Sequence, residues 1–379
     1  MAFKTSLTFI LIQVIIMHKI ALIGVGRVGR LALDMLVNDI RGIEVTAIDC
    51  RDLSKYIGKY DNVKFVCACK PKEVIRSVIG SDLLALALPS GVVYDILYEA
   101  LKSSFNIVDI SYIDFDPYIL SEIIHEESFY IPNAGFSPGL TNLIAGYVYN
   151  KLGELDKLVI YVGGIPTEPI PPVSFQITWN PEDLIEMYTR SVKMVVDGKL
   201  KEVDPLDNIF NVEIPGIGSF EGFYSEGLGT LTRNIKARNL YEVTLRHPGH
   251  LYFMKILRQL GLFDKEPVEV DGYLIQPYKL TAKLFEKYLK QTVPDQAILY
   301  IEAYKSDYYY KFKSHLVGGE DYSATALYTA LVFARTVELA LNGYIKPGIY
   351  PLETLSHLYQ EYISYLRSKG VYVEIDSNF

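Results

Sequence analysis

The stretch Lys19–Asp49, KIALIGVGRVGRLALDMLVNDIRGIEVTAID, limits what this chain can fold into more than any other. Ile20–Ile23 is a short apolar run with the length and composition of a buried strand. It enters the turn Gly24-Val25-Gly26-Arg27-Val28-Gly29, which opens an amphipathic segment over Arg30–Asn38. A second β-branched run, Ile43–Ile48, ends in Asp49, twenty residues after Gly29. Each part has a physical task in holding a dinucleotide. Gly24 permits the tight turn, Gly26 lets the backbone approach a pyrophosphate, and Gly29 lets helix and strand pack closely. The helix N-terminus, with Arg27 and Val28 in its first turn, offers unpaired N–H groups and a partial positive charge to the phosphates. Asp49 stands where it accepts hydrogen bonds from the adenosine ribose hydroxyls. A glycine triplet alone is weak evidence; the flanking strands, the helix and the correctly spaced acid make this a dinucleotide site.

Asp49 also bears on which dinucleotide is used. NAD presents a 2′-hydroxyl there, whereas NADP presents a phosphate, whose repulsion from a carboxylate costs roughly 4 kcal/mol per charge pair at an effective dielectric of about 20. Arg51 pulls the other way, since a guanidinium suits a phosphate. Asp49 is fixed at a strand end and Arg51 begins a loop, so NAD is expected over NADP by at least about tenfold, ~1.4 kcal/mol.

At 379 residues the chain holds two or three domains with a sizeable core. The formal charge of −8 excludes nucleic acid as the main partner, because phosphate binding wants a basic face. Cys50, Cys67 and Cys69 lack a metal-ligand spacing and a fourth ligand. They read as reduced core thiols of a cytoplasmic protein, and no metal is expected. Residues 1–17, MAFKTSLTFILIQVIIM, carry an apolar run from Leu7, with no small-residue cleavage site after it and too little length to span a bilayer. They read as a non-native leader, with translation starting at Met17; an extra edge strand and a membrane anchor are the rival readings.

After Asp49, Val63–Cys67, Asp82–Leu88, Asn106–Ile110 and Ser128–Ile131 read as strands, with helices over Pro71–Ile79 and Val92–Ser103. The expected architecture is α/β, with a doubly wound parallel (Rossmann) sheet over residues 18–136. Ligands on such sheets bind at the carboxyl ends of the strands, so Gly24, Asp49, Pro89, Ser90 and Asp109 should line one crevice. Ser137 reads as a helix N-cap with Pro138 at the first position, opening a helix to about Lys151. Beyond it, Lys157–Val162, Val173–Thr178, Lys193–Val196, Phe210–Ile214 and Tyr241–Leu245 read as strands, and Tyr252–Leu260 and Lys279–Tyr288 as helices. This is an inserted mixed α+β domain over residues 137–318, for substrate and dimerisation. Tyr322–Leu341 is an alanine-rich helix stopped by Gly343; with Arg335 and Glu338 inside it, it is a buried helix and no membrane is expected. Residues 319–379 form a C-terminal helical segment expected to pack back on the first domain.

These stretches in this order resemble the saccharopine dehydrogenase superfamily, and most of all its lysine 6-dehydrogenase branch. The resemblance is carried by GVGRVG (24–29), LPSG (88–91), VDISY (108–112), NAGFSPGLTN (133–142), GGIPTEPIPP (163–172), SFEGFYSEGLGTL (219–231) and TLRHPGH (244–250). It covers nearly the whole chain after Met17. The resemblance implies NAD(P)-dependent oxidation of an amine carbon to an imine that water hydrolyses, acting in the nearest branch on the ε-carbon of L-lysine. It also implies a homodimer, in line with the sheets and small-residue helix of the later segments.

The residue types suit such chemistry. An amine loses hydride only as the neutral base, so a group must accept its ammonium proton; His247 and His250 are the candidates, since histidine titrates near neutral pH. Asp109, at a strand's carboxyl end, is placed to orient the ammonium or the nicotinamide ribose. An α-carboxylate suits a bidentate guanidinium, Arg246 first and Arg233 second. Glu226 is placed to meet the α-ammonium, although the family more often carries an aspartate nearby, and Asn142 completes the substrate contacts. Two other functions compete: reductive joining of an amine and a carbonyl, as in saccharopine or carboxynorspermidine formation, and a non-catalytic NAD sensor. In each enzymatic reading the partner is a small amino acid or amine.

Overall fold

The computed structural model describes residues 17–379, except 114, 179, 291, 292 and 320. The expected leader, residues 1–16, lies outside the described residues. Six strands, β1 (His18–Ile23), β2 (Ile43–Asp49), β3 (Val63–Cys67), β4 (Leu83–Leu86), β5 (Ile107–Asp109) and β6 (Phe129–Ile131), alternate with α1 (Arg27–Asp39), α2 (Pro71–Ser77) and α3 (Ser90–Lys102). After α4 (Leu140–Leu152) the chain builds a second layer. Its elements are β7 (Leu155–Pro166), α5 (Pro181–Met187), β8 (Val192–Val196), β9 (Lys199–Val203), β10 (Ile209–Ile214), β11 (Gly218–Tyr224), α6 (Leu231–Asn234), β12 (Ala237–Arg246) and α7 (His250–Gln259). It continues through β13 (Val268–Val270), β14 (Tyr273–Ile275), α8 (Pro277–Tyr288), β15 (Asp295–Lys305) and β16 (Tyr308–Val317). The C-terminal part adds α9 (Ala324–Leu341), β17 (Gly348–Ile349), α10 (Tyr359–Ser368) and β18 (Tyr372–Ser377).

The first sheet has the strand order β17-β6-β5-β4-β1-β2-β3, and all its ladders are parallel. This is the doubly wound arrangement that the βα alternation predicts, with its order reversing beside β1. Strand β4 is apolar and buried throughout because both faces are covered. The glycine turn works by close approach: Gly24 has φ +98°, and a Cβ on Gly29 would meet the Gly24 carbonyl oxygen at 2.0 Å.

The second sheet runs β10-β11-β12-β7-β15-β16-β18, with β8 paired to β12 and β9 paired to β8. It is mixed: β12 and β7 are parallel, and the other neighbours along this path are antiparallel. Helices α4 and α9 lie on its inner face, and one apolar core runs through Leu22 and Val45, Leu143 and Ile144, Val332 and Phe333, to Ile160 and Leu299.

Four local expectations change. Val173–Thr178 is not a strand; Val173, Phe175 and Ile177 are buried among Leu184, Leu251 and Phe285, so helices rather than a sheet absorb its alternation. Helix α4 begins at Leu140, because Gly139 is its N-cap and Asn142 bonds back to the Gly139 N–H at 3.1 Å; Ser137 is released for another partner. The three cysteines are exposed rather than core thiols, being at or just beyond the carboxyl ends of β2 and β3. The C-terminal segment is not purely helical: β18 forms the edge of the second sheet and β17 that of the first. Helix α9 packs on α1, so its small residues are used within the chain. It is long and apolar enough to cross a membrane by composition, and 67% of it is buried.

Candidate active site

The carboxyl ends of the first sheet open beside the glycine turn. The first bond of α1 runs from Arg30 N–H to the Gly26 carbonyl, which leaves the N–H groups of Arg27, Val28 and Gly29 directed out of the helix. Nothing crowds Gly26: a Cβ there would find only Arg51 Nη2, at 3.8 Å. Beside it is a cavity of about 300 Å³ lined by Gly26, Arg27, Arg30, Arg51, Asp52 and Tyr56, among others. Open backbone, a helix N-terminus and three guanidinium groups fit a dinucleotide with its phosphates.

Asp49 is engaged differently from the expectation. Its carboxylate accepts bonds from Val25 N–H at 2.8 Å, Arg51 N–H at 2.9 Å, and the Arg51 guanidinium at 2.9 and 2.7 Å. Burial alone would raise its pKa; the Arg51 and Val25 bonds outweigh burial and hold it down to about 2. Arg51 therefore sits on Asp49 as a counter-ion in the cavity wall rather than ranging free in a loop, and the repulsion that was to disfavour a 2′-phosphate is compensated in place.

Residues 173–178 and 180–190 form a roof between the two layers. The Arg27 guanidinium donates to the Thr178 carbonyl, Ser90 faces the Asp183 carboxyl, and Arg190 donates to the Tyr112 hydroxyl at 2.8 Å. Pro89 is the exposed N-cap of α3 beside Ser90. From its other side the roof presses Phe175, Met187 and Tyr188 onto Arg246, which is 3% exposed. The Arg246 guanidinium stacks on Phe175 at 4.8 Å and Phe223 at 5.8 Å. It donates to Tyr188 Oη at 3.1 Å, the Leu245 carbonyl at 2.9 Å and the Met187 sulfur. Among the described residues no carboxylate pairs with it, which leaves a buried cation short of its counter-charge.

The histidines hold this cluster. His250 Nδ1 is 2.8 Å from the Val173 carbonyl, so Nδ1 carries the proton; Nε2, 2.8 Å from Tyr188 Oη, then accepts from the tyrosine hydroxyl. Burial, reinforced by the Arg246 charge, pushes its pKa down to about 3. A neutral ring with both nitrogens committed is a poor proton acceptor, so the expectation of His250 as the base is corrected: it orients Tyr188, which orients Arg246. His247 Nε2 is bound to the Pro166 carbonyl at 2.7 Å, so this nitrogen too is a donor.

Four other expected residues are spent elsewhere. Asp109 is fully buried; it accepts from Ser111 N–H at 2.7 Å and Tyr130 Oη at 3.2 Å, and burial raises its pKa to about 7. It ties the ends of β5 and β6 and presents no surface to a substrate. Arg233 is exposed and paired with Asp116 at 2.7 Å, apart from the Arg246 cluster. Glu226 accepts from Lys193 N–H at 2.9 Å at the start of β8. Asn142 caps α4 and donates to the Leu228 carbonyl at 3.4 Å.

Two groups escaped the sequence reading. Asn133 follows β6 with a left-handed φ of 52°, and its buried Oδ1 has no partner among the described residues. An asparagine at a strand's carboxyl end was the available signal. Glu242 is buried on β12 and hydrogen-bonded by Ser137 and Ser225; a lone acid in an apolar strand pattern gives little signal.

The His250 arrangement predicts a pH dependence. The folded chain protonates His250 only near 3, the unfolded chain near 6.5, so the unfolded state takes up the proton first as pH falls. Its contribution is whole above about 6.5 and drains towards 3 at up to about 1.4 kcal/mol per pH unit. The stability advantage of the unmodified protein over His250→Gln should therefore shrink by about 2 kcal/mol between pH 7.5 and 5, measured by urea denaturation. An unchanged difference would show that His250 ionises freely in the fold.

Residues 135–371 match the family described as the saccharopine dehydrogenase C-terminal domain. A carboxyaminopropylagmatine dehydrogenase of Synechocystis sp. is 25% identical over 173 residues, 44% of this chain and 40% of that protein. The NADP(+), L-glutamate-forming saccharopine dehydrogenase of Schizosaccharomyces pombe is 24% identical over 271 residues, 67% of this chain and 60% of that protein. The matched stretches thus span less than two thirds of either curated relative. Apo saccharopine dehydrogenase (L-Glu forming) from Saccharomyces cerevisiae shares the fold with a TM-score of 0.77 at 18% identity, covering 96% of this chain and 100% of that one. With more than half its length inside the family match, the chain belongs to the saccharopine dehydrogenase family.

Proposed function

We propose that the chain is a pyridine-nucleotide-dependent dehydrogenase of an amino acid, with the ε-amine of L-lysine or a close relative as donor. The observation that carries this reading is Arg246: a buried guanidinium beside two aromatic rings, with no acid paired to it among the described residues, suits a substrate α-carboxylate. The glycine turn and the α1 N-terminus would hold the pyrophosphate, the Asp49–Arg51 pair the adenosine ribose, and Asn133 the nicotinamide end. The bound nicotinamide supplies the hydride acceptor. The protein contributes orientation, a dry site beneath the roof, and a place for the amine proton; water then hydrolyses the imine. A second reading is the reductive joining of an amine to a carbonyl partner. The same buried Arg246 serves either reaction.

The test is formation of reduced nucleotide with a panel of amino acids and their decarboxylated amines at alkaline pH, beside consumption of reduced nucleotide with amine plus aldehyde or keto acid. L-lysine should be oxidised and its decarboxylated counterpart should not. Arg246→Met should lower kcat/KM for the amino acid by about a hundredfold or more, ~2.7 kcal/mol. Equal turnover of the decarboxylated amine would remove Arg246 from the substrate site.

For the nucleotide, Asp49 favours NAD and the Arg51, Arg27 and Arg30 groups favour a 2′-phosphate, so NAD and NADP should bind within about tenfold of one another. The larger preference for NAD expected from the sequence required an Asp49 without a counter-ion. Arg51→Ala should weaken NADP at least about tenfold relative to NAD, ~1.4 kcal/mol, measured by titration calorimetry. A parallel loss of both would make Arg51 a fold-holding residue only.

A homodimer belongs to this proposal. Helix α9 being covered, the surface available is the β13–β14 hairpin with α7, where Tyr252, Leu260, Tyr273 and Leu274 are 67–75% exposed. Sedimentation should show twice the chain mass of 42.9 kDa, and Leu274→Glu should return it to one chain. A single-chain mass at micromolar concentration removes the dimer.

A further inference from the structure

Alternate residues of a strand share a face, so Leu240, Glu242, Thr244 and Arg246 all project from the side of β12 that meets the first layer. Leu240 lies in the core joining the two layers, and Arg246 lies under the roof. Glu242 stands between them, 4% exposed. Its Oε2 accepts from Ser137 Oγ at 2.8 Å and its Oε1 from Ser225 Oγ at 2.9 Å; Ser225 Oγ in turn accepts from Thr244 Oγ1 at 2.8 Å. The charged group that faces it among the described residues is Glu226, another acid, and no cation pairs with it. The chain makes room for this carboxylate: a Cβ on Gly227 would fall 1.9 and 2.1 Å from its two oxygens. Ser137 is partly exposed, in the loop that follows β6 at the carboxyl end of the first sheet. The acid is therefore sealed from solvent, and one hydroxyl connects it to the crevice.

We propose, on the reading of the function given above, that Glu242 acts through the Ser137 hydroxyl as the acceptor of the proton that the substrate ammonium must lose. The ammonium N–H bond breaks as its proton moves to Ser137 Oγ, and the proton of Ser137 moves to Glu242 Oε2. The carboxylate becomes a carboxylic acid, the amine becomes neutral with its lone pair restored, and no electrons leave the substrate in this step. The hydride departs afterwards to the nicotinamide. Three observations converge on this role. His250 has both ring nitrogens bonded, His247 is buried with its Nε2 on the Pro166 carbonyl, and Asp109 is closed off. Burial, against the Ser137 and Ser225 bonds, raises the Glu242 pKa to about 7, so the group is divided between its two forms at neutral pH. Four steps along the strand take Glu242 to Arg246, about 13 Å between Cα atoms. That spacing suits an extended amino acid bonded by its carboxylate at one end and its terminal amine at the other. Glu242 is thus a positioning and proton-holding residue, and Ser137 is the group that touches the substrate.

The experiment is the pH profile of kcat for the full chain with L-lysine and NAD, together with the NAD dissociation constant from fluorescence. The unmodified enzyme should lose activity below a limb near pH 7. Glu242→Gln should lower kcat at pH 7 by about a hundredfold or more and move the limb towards the free amine's own pKa of about 10, with NAD affinity kept within about twofold. Ser137→Ala should reproduce both changes and Ser137→Thr, which keeps the hydroxyl, should restore the limb. A neutral limb and full kcat in Glu242→Gln overturn the relay while leaving the dehydrogenase reading intact. If Glu242→Gln does not fold, an unchanged profile in folded Ser137→Ala overturns it equally. Absence of reduced nucleotide from the unmodified enzyme across the whole amine panel overturns the dehydrogenase reading and the relay together.

Discussion

One apolar core binds the two sheets of this protein, and everything functional depends on that joint. Leu22, Val45 and Ala85 from the first sheet, and Leu158, Ile160, Leu299 and Phe312 from the second, belong to the same buried cluster, bridged by α4 and α9. Helix α9 is buried at Val332, Phe333 and Val337 and packs on α1, the helix that opens at the glycine turn. At roughly 25 cal/mol per Å² of apolar surface removed from water, a joint of this kind resists sliding far better than a polar interface between domains. The consequence is geometric. The carboxyl ends of the first sheet are held facing the inner surface of the second, and the crevice between them inherits that fixed separation.

Where β12 reaches the crevice, its inward face turns from apolar to polar: Leu240 is followed by Glu242, Thr244 and Arg246. Each of these is buried, and burial of a charge is expensive unless the site repays it. Glu242 is met by two serine hydroxyls and Arg246 by a tyrosine, a carbonyl and two aromatic faces, and among the described residues neither is met by an opposite charge. The two are not paired to each other either. A sequence selected for stability alone would place Leu or Val at such positions. On the proposed function, a separated acid and base on one strand face complement an amino acid with a distal amine.

The features that follow from local physics were legible in the sequence, and those that need distant partners were not. The glycine turn and the βα rhythm depend on neighbours within about thirty residues, and each takes its expected form; Asp49 ends its strand as expected but is bound by Arg51. Arg246 was singled out because a guanidinium suits a carboxylate, and it occupies the buried floor of the site. His250 looked like a base because its partners, Val173 and Tyr188, are 77 and 62 residues away. Nothing local says that both nitrogens are taken. Ser137 looked like a cap because Pro138 follows it, whereas Glu242, 105 residues on, claims its hydroxyl. The long β15–β16 hairpin went unnoticed for a related reason. Its polar groups are buried against remote partners, Tyr310 on Tyr359 and Ser314 on Tyr328, so the strand pattern of apolar and polar residues is blurred.

The roof, residues 173–178 and 180–190, joins the glycine-turn crevice to the Arg246 cluster. It is short of regular structure apart from α5, and its strand-like alternation of Val173, Phe175 and Ile177 serves to seat it on α7 and α8. Its edge bonds Arg27 at the α1 N-terminus, stands beside Ser90 and reaches Tyr112, so it touches three places where the first sheet offers ligand groups. Its underside supplies Phe175, Met187 and Tyr188 to Arg246. A ligand at the α1 N-terminus therefore meets the same segment that packs on Arg246. By linkage, any ligand that seats or unseats this segment acts on both places at once. The shared core fixes the two sheets, and this one segment touches both the α1 N-terminus and the buried cation.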